Sequence, residues 1–212
     1  MGCVKSFSAG FAFSALIVVV ACLGCSSPPP VDDRNYAARV AEERASKDAA
    51  FQKESDPVPD NRKKELLPLA YFSIEPDYKA AAVLKPTEDE TTISMPTSTG
   101  TARQMRRAGT LEFTLKGQTL RLTALVDLTD RNLDHLTVMF SDLTSGAETY
   151  PAGRYLDLTR NATGIYEIDF NRAYNPYCYY NASYECPFPP PENRLKVPVR
   201  AGEKLKKEEG KS

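Results

Sequence analysis

Two runs of alternating apolar and polar residues constrain the fold of this chain more than any other feature. Residues 111–115 and 120–126 place apolar side chains at every second position, and mostly polar residues occupy the positions between them. Because alternate side chains of a strand point to opposite faces of a sheet, each run predicts a half-buried β-strand. Gly117 and Gln118 lie between the two runs and predict the turn of a β-hairpin.

Similar short runs recur along the chain at the spacing of hairpins. They cover residues 78–84, 91–95 and 101–107, and two further runs have apolar side chains at positions 136, 138 and 140 and at 166, 168 and 170. About seven short strands with almost no helix between them predict a mainly β fold, a single antiparallel β-roll, barrel or sandwich. The chain after residue 170 is irregular and rich in Pro and Tyr, and we expect residues 187–191 to form a strap over one end of the sheet.

The N-terminal 25 residues have the plan of a secretory signal. Residues 7–25, FSAGFAFSALIVVVACLGC, carry no charge, follow Lys5 and end in small residues and cysteines. Such a segment predicts a signal peptide over residues 1–25, and a cysteine at the cleavage site is where bacterial lipoprotein export attaches lipid. We therefore expect an exported protein held at a membrane by acyl chains such as palmitate. An uncleaved anchor is the alternative, because about 19 apolar residues just reach the length of a membrane span.

Two cysteines compete for this lipid. Val19 and Ala21 give Cys22 a good cleavage motif, whereas cleavage before Cys25 would leave no odd thiol in an oxidising compartment. Both stay open as the first residue of the mature chain. Neither cysteine is followed by Asp, so nothing signals retention at an inner membrane. We expect the cell envelope, on the outer membrane facing the periplasm where the host has one.

The mature chain is organised as a linker, one domain and a tail. Residues 26–33 contain three consecutive prolines, which predict a stiff linker. Residues 35–54 are rich in Ala, Glu, Lys and Arg and predict a helix with a weak apolar face, lying on the domain. A single domain over residues 34–203 accounts for the rest, and the charged residues 204–212 predict a disordered tail.

Composition excludes several kinds of function. A net charge of −1 gives no field that would attract nucleic acid. The chain has one histidine, which excludes a metal site made of several histidines, and we expect no metal and no cofactor. Cys178 and Cys186 lie close in the sequence, and in an exported chain such a pair predicts a disulfide. Two buried thiols are the alternative.

The first candidate ligand site is the loop SDLTSGAETYPAGRY. It gathers Asp142, Glu148 and Arg154 with several hydroxyl groups in one short stretch, which would suit a polar ligand. The alternative is a hairpin loop whose Asp, Ser and Thr side chains bind the loop's own backbone.

The second candidate ligand site is the stretch DFNRAYN. It contains four polar residues: Asp169, Asn171, Arg172 and Asn175. Planar amide and guanidinium groups suit a carboxylate, a phosphate or a sugar. Alternatively, Arg172 is an internal tie that holds irregular chain against the sheet. In both cases we expect a partly or wholly buried Arg172 guanidinium that is paired with Asp142, Asp169 or Glu148, because an unmatched charge in such a place is costly.

Two C-terminal stretches are distinctive: IDFNRAYNPYCYY, and YECPFPPPENRLKVPVRAGEK. They closely resemble the signature of the bacterial domain-of-unknown-function 1684 family. Other parts of that family are similar to KDAAFQKESDPVP, LAYFSIEPDYKAAAVL, PTSTGTARQMRRAGTLEFTL and FSDLTSGAETYPAGRYLDL, so the likeness covers most of the mature chain. One departure is Ser141, where the family pattern leads us to expect Arg. The resemblance implies one common fold and brings no established activity.

Three functions are compatible with these features. We expect a lipid-anchored envelope protein that binds a small polar or anionic ligand, or a partner protein of the envelope, through its β-roll. A hydrolase that uses a carboxylate–arginine cluster and a purely structural scaffold are the alternatives. A cavity lined by Arg154, Asn171 and Arg172 would favour binding. A reachable pair of carboxylates would favour an enzyme, and a filled interior would favour a scaffold.

Overall fold

The computed structural model describes residues 35–87 and 91–206. The predicted signal peptide, the predicted linker and the two lipidation candidates Cys22 and Cys25 lie outside the described residues, as do residues 207–212. The described chain is a mainly antiparallel β-structure with an N-terminal helix, which confirms the predicted fold class.

Three α-helices flank the sheet. They are α1 (Tyr36–Lys53), α2 (Asp60–Leu66) and the short α3 (Tyr177–Tyr180). Helix α1 matches the predicted helix and, as its composition indicates, buries few residues: Tyr36, Val40 and Phe51. Helix α2 was not predicted, and its Arg62 donates to backbone carbonyl groups of α3 at 2.8 and 3.0 Å. In the part of the chain that the structure describes, no helix is both long and apolar enough to cross a membrane.

Seven antiparallel strands form one sheet. They are β1 (Lys79–Pro86), β2 (Thr92–Pro96), β3 (Ala102–Leu115), β4 (Gln118–Asp127), β5 (His135–Phe140), β6 (Arg154–Thr159) and β7 (Tyr166–Asp169). Six strands follow the order β6-β5-β4-β3-β1-β7, and β2 pairs with the first half of β3. Arg160, just after β6, pairs with Tyr166 of β7, so that the two ends of the sheet meet in a nearly closed barrel.

The central hairpin differs from its prediction in two details. The turn consists of Lys116 and Gly117, both with positive φ, because Gln118 already pairs with Leu115. The two predicted strands over residues 101–107 and 111–115 are one strand, β3, which is interrupted by a bulge between Arg107 and Gly109. A Cβ at Gly109 would lie 2.3 Å from the carbonyl oxygen of Lys85, so glycine lets β1 approach the bulge.

The barrel interior is apolar, as the alternation predicts. The buried side chains of β3, β4 and β5 include Leu111, Phe113, Leu115, Leu122, Ala124, Val126, Leu136, Val138 and Phe140. Strand β6 was not predicted, and it adds Leu156 and Leu158. Phe170 lies in a 3₁₀ turn (Phe170–Arg172) directly after β7, not in a strand, and its ring packs edge-on against Phe140 at 5.2 Å.

The irregular chain over residues 187–206, which includes the predicted strap and which we call the C-terminal strap, crosses the sheet and completes it. Strands β4 and β5 share one registered pair, Leu125 with Thr137. Where they separate, the buried Asn193 donates to the carbonyl groups of Thr123 and Met139 at 2.9 and 2.7 Å, and its Oδ1 accepts from the Thr123 amide at 2.7 Å. One strap side chain thus replaces the hydrogen bonds that the two strands do not make with each other.

The ordered domain continues past the predicted boundary at residue 203. The Lys204 amide donates to the Ala70 carbonyl group, and the Leu205 amide donates to that of Glu148, both at 2.9 Å. Residues 204–206 therefore belong to the domain rather than to a disordered tail.

Candidate functional site: a pocket beside the N-terminal helix

A pocket of about 200 Å³ lies between helix α1 and the segment that follows β7. We call it the helix pocket. Its charged and amide side chains are Glu43, Arg44, Lys47, Asn171, Arg172 and Glu203. Two of these residues, Asn171 and Arg172, come from the second predicted ligand site.

The turn after β7 forms the floor of the helix pocket. The Asp169 carboxylate accepts a hydrogen bond from the Asn171 amide at 3.1 Å and so fixes the turn Phe170–Arg172. The Asn171 side chain donates to the Glu75 carbonyl group at 2.8 Å and accepts from the Glu75 amide at 3.0 Å. Asn171 therefore anchors the turn and leaves its own backbone carbonyl group facing α1.

Arg44 is a pocket guanidinium without an acidic partner among the described residues. It donates to the carbonyl groups of Phe72 and Asn171, both at 2.9 Å, and lies over the Tyr71 ring at 4.4 Å. Its Nε is buried without a hydrogen-bond partner. Burial lowers the pKa of Arg44, because the surrounding negative charges only partly offset the loss of water. The site thus holds a positive charge that neutral groups alone contact.

Arg172 lies at the edge of the pocket with two acids. Its Nε and Nη2 contact both oxygens of Glu43 at 2.8 and 2.9 Å, and its Nη1 contacts the buried carboxylate of Asp169. Tyr36 donates to the same Asp169 carboxylate at 2.8 Å. The hydrogen bonds that Glu43 accepts from Arg172 raise the pKa of Arg172 and lower the pKa of Glu43. This geometry confirms a partly buried Arg172 paired with Asp169 and adds Glu43, which the sequence did not indicate.

Lys47 and Glu203 close the inner end of the pocket. Their Nζ and Oε1 atoms are 2.6 Å apart, and Glu203 is buried. Glu203 also accepts from the Asn175 amide at 2.9 Å and from the Tyr180 hydroxyl group. Burial, followed by the Glu203 charge, raises the pKa of Tyr180 well above its usual range. Asn175 thus supports the pocket through its backbone, while its own Oδ1 is buried and unpartnered.

A family model described as a protein of unknown function (DUF1684) matches residues 64–204 of this chain. The chain belongs to the DUF1684 family. The DUF1684 match includes the floor of the helix pocket, from Tyr71 to Glu203, and begins after helix α1. Arg44 and Lys47 therefore reach the pocket from outside the matched stretch.

A solution NMR structure of an uncharacterized protein from Haloarcula marismortui is similar to this DUF1684 chain. The two are 31% identical, the similarity covers 82% of this chain and 96% of the other, and the TM-score is 0.64. A comparison with curated proteins finds no match.

Asp142 and Arg154 meet inside the domain rather than at the helix pocket. Arg154 Nη2 lies 2.9 Å from Asp142 Oδ2, and both side chains are enclosed. Arg154 also donates to backbone carbonyl groups of the strap, those of Val199, Ala201 and Glu203. Burial lowers the pKa of Arg154. This pair ties the strap to β6. Within the loop, Asp142 also accepts from the Thr144 amide at 2.8 Å and Ser145 accepts from the Asp142 amide at 3.1 Å, which is the backbone binding that the alternative describes.

The predicted acids do not come together. Glu148 lies at the surface and pairs with Arg200 at 2.8 Å, whereas Asp142 and Asp169 each pair with a different arginine. Asp142, Glu148 and Asp169 therefore do not form the pair of neighbouring, reachable carboxylates that the hydrolase alternative needs.

Cys178 and Cys186 are neighbouring thiols. The Cys178 amide donates to the Cys186 sulfur at 3.2 Å, and the structure has no bond between the two sulfur atoms. The hydrogen bond from the Cys186 thiol lowers the pKa of Cys178 to about 6. The disulfide stays a prediction for the exported protein.

Sequence reasoning missed Arg44 and Lys47. Both lie on the face of α1 that carries the buried Val40, and the spacing of residues 40, 43, 44 and 47 indicates a single helical stripe. Positive charge at two of these positions, on the same stripe as the apolar Val40, was the available signal. Over residues 35–87 and 91–206, no group of three or more potential metal ligands occurs.

Proposed function

We propose that this protein binds a small anionic molecule in the helix pocket, and that it does so at the cell envelope, held there by an N-terminal lipid. Arg44 carries the binding part of the proposal. A half-buried guanidinium has lost much of its hydration, and two carbonyl groups and a tyrosine ring replace water only in part. An anion in the pocket would supply the missing opposite charge.

The other charges of the pocket favour an anion at Arg44 rather than elsewhere. The Glu43 carboxylate accepts hydrogen bonds from Nε and Nη2 of Arg172. The Glu203 carboxylate accepts from Lys47 and Tyr180. Both acids are thus engaged by other groups, whereas Arg44 contacts no carboxylate of the described chain, so an anion in the pocket would pair with Arg44. A carboxylate or phosphate group could accept from the free edge of a guanidinium in charge-assisted hydrogen bonds.

The size of the pocket limits the ligand. A volume of about 200 Å³ is below the range of about 300 to 1,000 Å³ that holds drug-sized ligands. We therefore expect a small metabolite with one or two anionic groups, and inorganic phosphate and succinate are suitable first probes.

Thermal unfolding in the presence of these probes tests the binding proposal. Phosphate or succinate should raise the melting temperature of the full chain above that in sodium chloride of the same ionic strength. Arg44→Gln should abolish this shift. Arg39→Gln is the matched control, because Arg39 is exposed on the same helix and does not line the pocket. An equal shift in both variants, or no shift in the unmodified chain, contradicts the proposal.

Export and lipid attachment rest on residues 1–25. The apolar segment and its terminal cysteines support them. Replacing both Cys22 and Cys25 by Ser should abolish incorporation of labelled palmitate in a bacterial host, while Cys3→Ser should leave the label in place. A label that persists in the double variant would show that the chain is not anchored at these cysteines.

A further inference from the structure

A second concave surface lies where β6, α3 and the start of the strap meet. Its lining includes four tyrosines and two prolines: Tyr155, Tyr174, Tyr177, Tyr184, Pro176 and Pro187. We call it the tyrosine groove. Its volume is about 230 Å³, and an adjoining hollow of about 210 Å³ shares Tyr155, Tyr174 and Pro187 with it. The groove and this hollow are thus neighbours of similar size.

The aromatic rings of the groove are held in place. Tyr155 donates its hydroxyl hydrogen to the Pro187 carbonyl group, Tyr174 donates to Asp157 at 2.7 Å, and Tyr184 donates to Asp56. The rings of Tyr155 and Tyr174 meet edge to face at 5.9 Å. Fixed rings lose little conformational entropy when a ligand stacks on them, so the groove is organised before binding.

The other tyrosine pair extends this aromatic surface. Tyr177 and Tyr184 also meet edge to face, at 5.2 Å, and Tyr177 is 43% exposed. A large ring left open to water at a concave site presents a face on which a flat, partly apolar ligand can stack.

The polar groups of the groove are mostly hydrogen-bond acceptors. The adjoining hollow contains the exposed carboxylates Asp127 and Asp157, while Arg103, paired with Asp127 at 2.9 Å, is the charged donor. Three of the four tyrosine hydroxyl groups already donate within the protein. Asp157 accepts from Tyr174 and Thr137, which leaves part of its acceptor capacity unused. The ligand of such a groove must supply donors.

We propose that the tyrosine groove binds an oligosaccharide, with sugar rings stacked on the tyrosines and hydroxyl groups donating to Asp127 and Asp157. Sugar hydroxyl groups are donors as well as acceptors, and the C–H face of a sugar ring is apolar enough to pack on an aromatic ring. The tyrosine groove and the adjoining hollow together suit at least two adjacent sugar units.

A proline-rich peptide fits these groups less well, although it also favours aromatic grooves. Proline has no backbone N–H group, so acceptors such as Asp127 and Asp157 have nothing to receive from it. A peptide that adds as a β-strand is also disfavoured, since Tyr155 and Tyr174 already exchange both of their backbone hydrogen bonds, at 2.9 and 3.0 Å.

Titration of the full chain with cellohexaose and with the hexamer of N-acetylglucosamine tests the proposal. Tyrosine fluorescence is a direct readout because the chain contains no tryptophan. At least one hexasaccharide should bind, and Tyr177→Ala should weaken its binding about tenfold through loss of a stacking face. Asp157→Asn should weaken the same binding while both variants keep the circular dichroism spectrum of the unmodified chain. Leu143→Ala is the control, since Leu143 is also an exposed apolar side chain, at 59%, and does not line the groove.

Three results overturn the proposal. Neither hexasaccharide binds at millimolar concentration; or binding is equal in Tyr177→Ala, Asp157→Asn and Leu143→Ala; or a decaproline peptide binds in a Tyr177-dependent manner while the sugars do not. The anion-binding proposal stands or falls separately, because Arg44 does not line this groove.

Discussion

Arg154 Nη2 lies 2.9 Å from Asp142 Oδ2, and both side chains are sealed from solvent. Asp142 Oδ1 also accepts from the Val199 amide at 3.1 Å, and Arg154 donates to the Val199 carbonyl group at 2.8 Å. The pair therefore holds the strap against the barrel through charge-assisted hydrogen bonds, at a place where water cannot replace either partner.

Breaking this enclosed pair should be strongly destabilising. Arg154→Met leaves Asp142 buried without its counter-ion, and we expect the free energy of unfolding to fall by about 3 to 5 kcal/mol. Urea denaturation measures the change. The double variant Asp142→Leu/Arg154→Met should lose less than Arg154→Met alone, because it strands no charge. Arg200→Ala breaks an exposed pair with Glu148 and should leave the urea midpoint unchanged.

Asn193 should be indispensable to the junction of β4 and β5. Asn193→Ala leaves the amide of Thr123 and the carbonyl groups of Thr123 and Met139 without their partner, and we expect a loss of about 2 to 4 kcal/mol. Asn193→Asp keeps the acceptor but removes both donors, so it should also destabilise the fold. The exposed neighbour Arg194 is the control position. A wild-type urea midpoint for Asn193→Ala would mean that the strap does not complete the sheet.

Arg172 should matter less for stability than an enclosed arginine. Its side chain is 36% exposed, and after Arg172→Ala the buried Asp169 keeps donors from Tyr36 and Asn171. We expect a loss of about 1 to 2 kcal/mol in urea denaturation. A loss as large as that of Arg154→Met would show that Arg172 is the main support of Asp169. An unchanged midpoint would place Arg172 at the surface without a structural role.

Cys178 should be the reactive thiol of the reduced protein. The Cys186 thiol donates to it and lowers the pKa of Cys178 to about 6, so that its thiolate is populated at neutral pH. Mass spectrometry should show that iodoacetamide modifies the Cys178 peptide at a rate that rises with pH and levels off above about pH 7. Cys186→Ala removes the donor, which should raise the pKa and move this rise to higher pH. An unchanged profile in Cys186→Ala would assign the low pKa to another cause.

The same two cysteines should be joined in the exported, unreduced protein. Mass spectrometry of peptides prepared without reductant should then show Cys178 linked to Cys186. Free thiols at both positions in protein recovered from the envelope would contradict the disulfide.

Several strands and helix α1 could be predicted from the amino-acid sequence alone. The alternation in residues 111–126 predicted β3 and β4 with their inner faces, because the two-residue period of a strand is a local property. The helix over residues 35–54 and the strap were likewise predicted from composition and from the positions of the prolines. Strand β6 was not predicted because turn residues directly precede it and because its alternating apolar positions, Leu156 and Leu158, are only two.

The contacts between charged residues depend on tertiary packing and could not be predicted from the sequence. Arg44 contacts Asn171 across 127 positions of sequence, and Glu43 contacts Arg172 across 129. No spacing rule relates residues so far apart, because their distance depends on how α1 packs on the turn after β7. The same holds for Arg154. Its neighbours in the sequence form a polar loop, but Arg154 is buried because the strap covers it. Packing thus determines which arginine contacts a carboxylate and which contacts only neutral groups, and burial sets the cost of an unpaired charge.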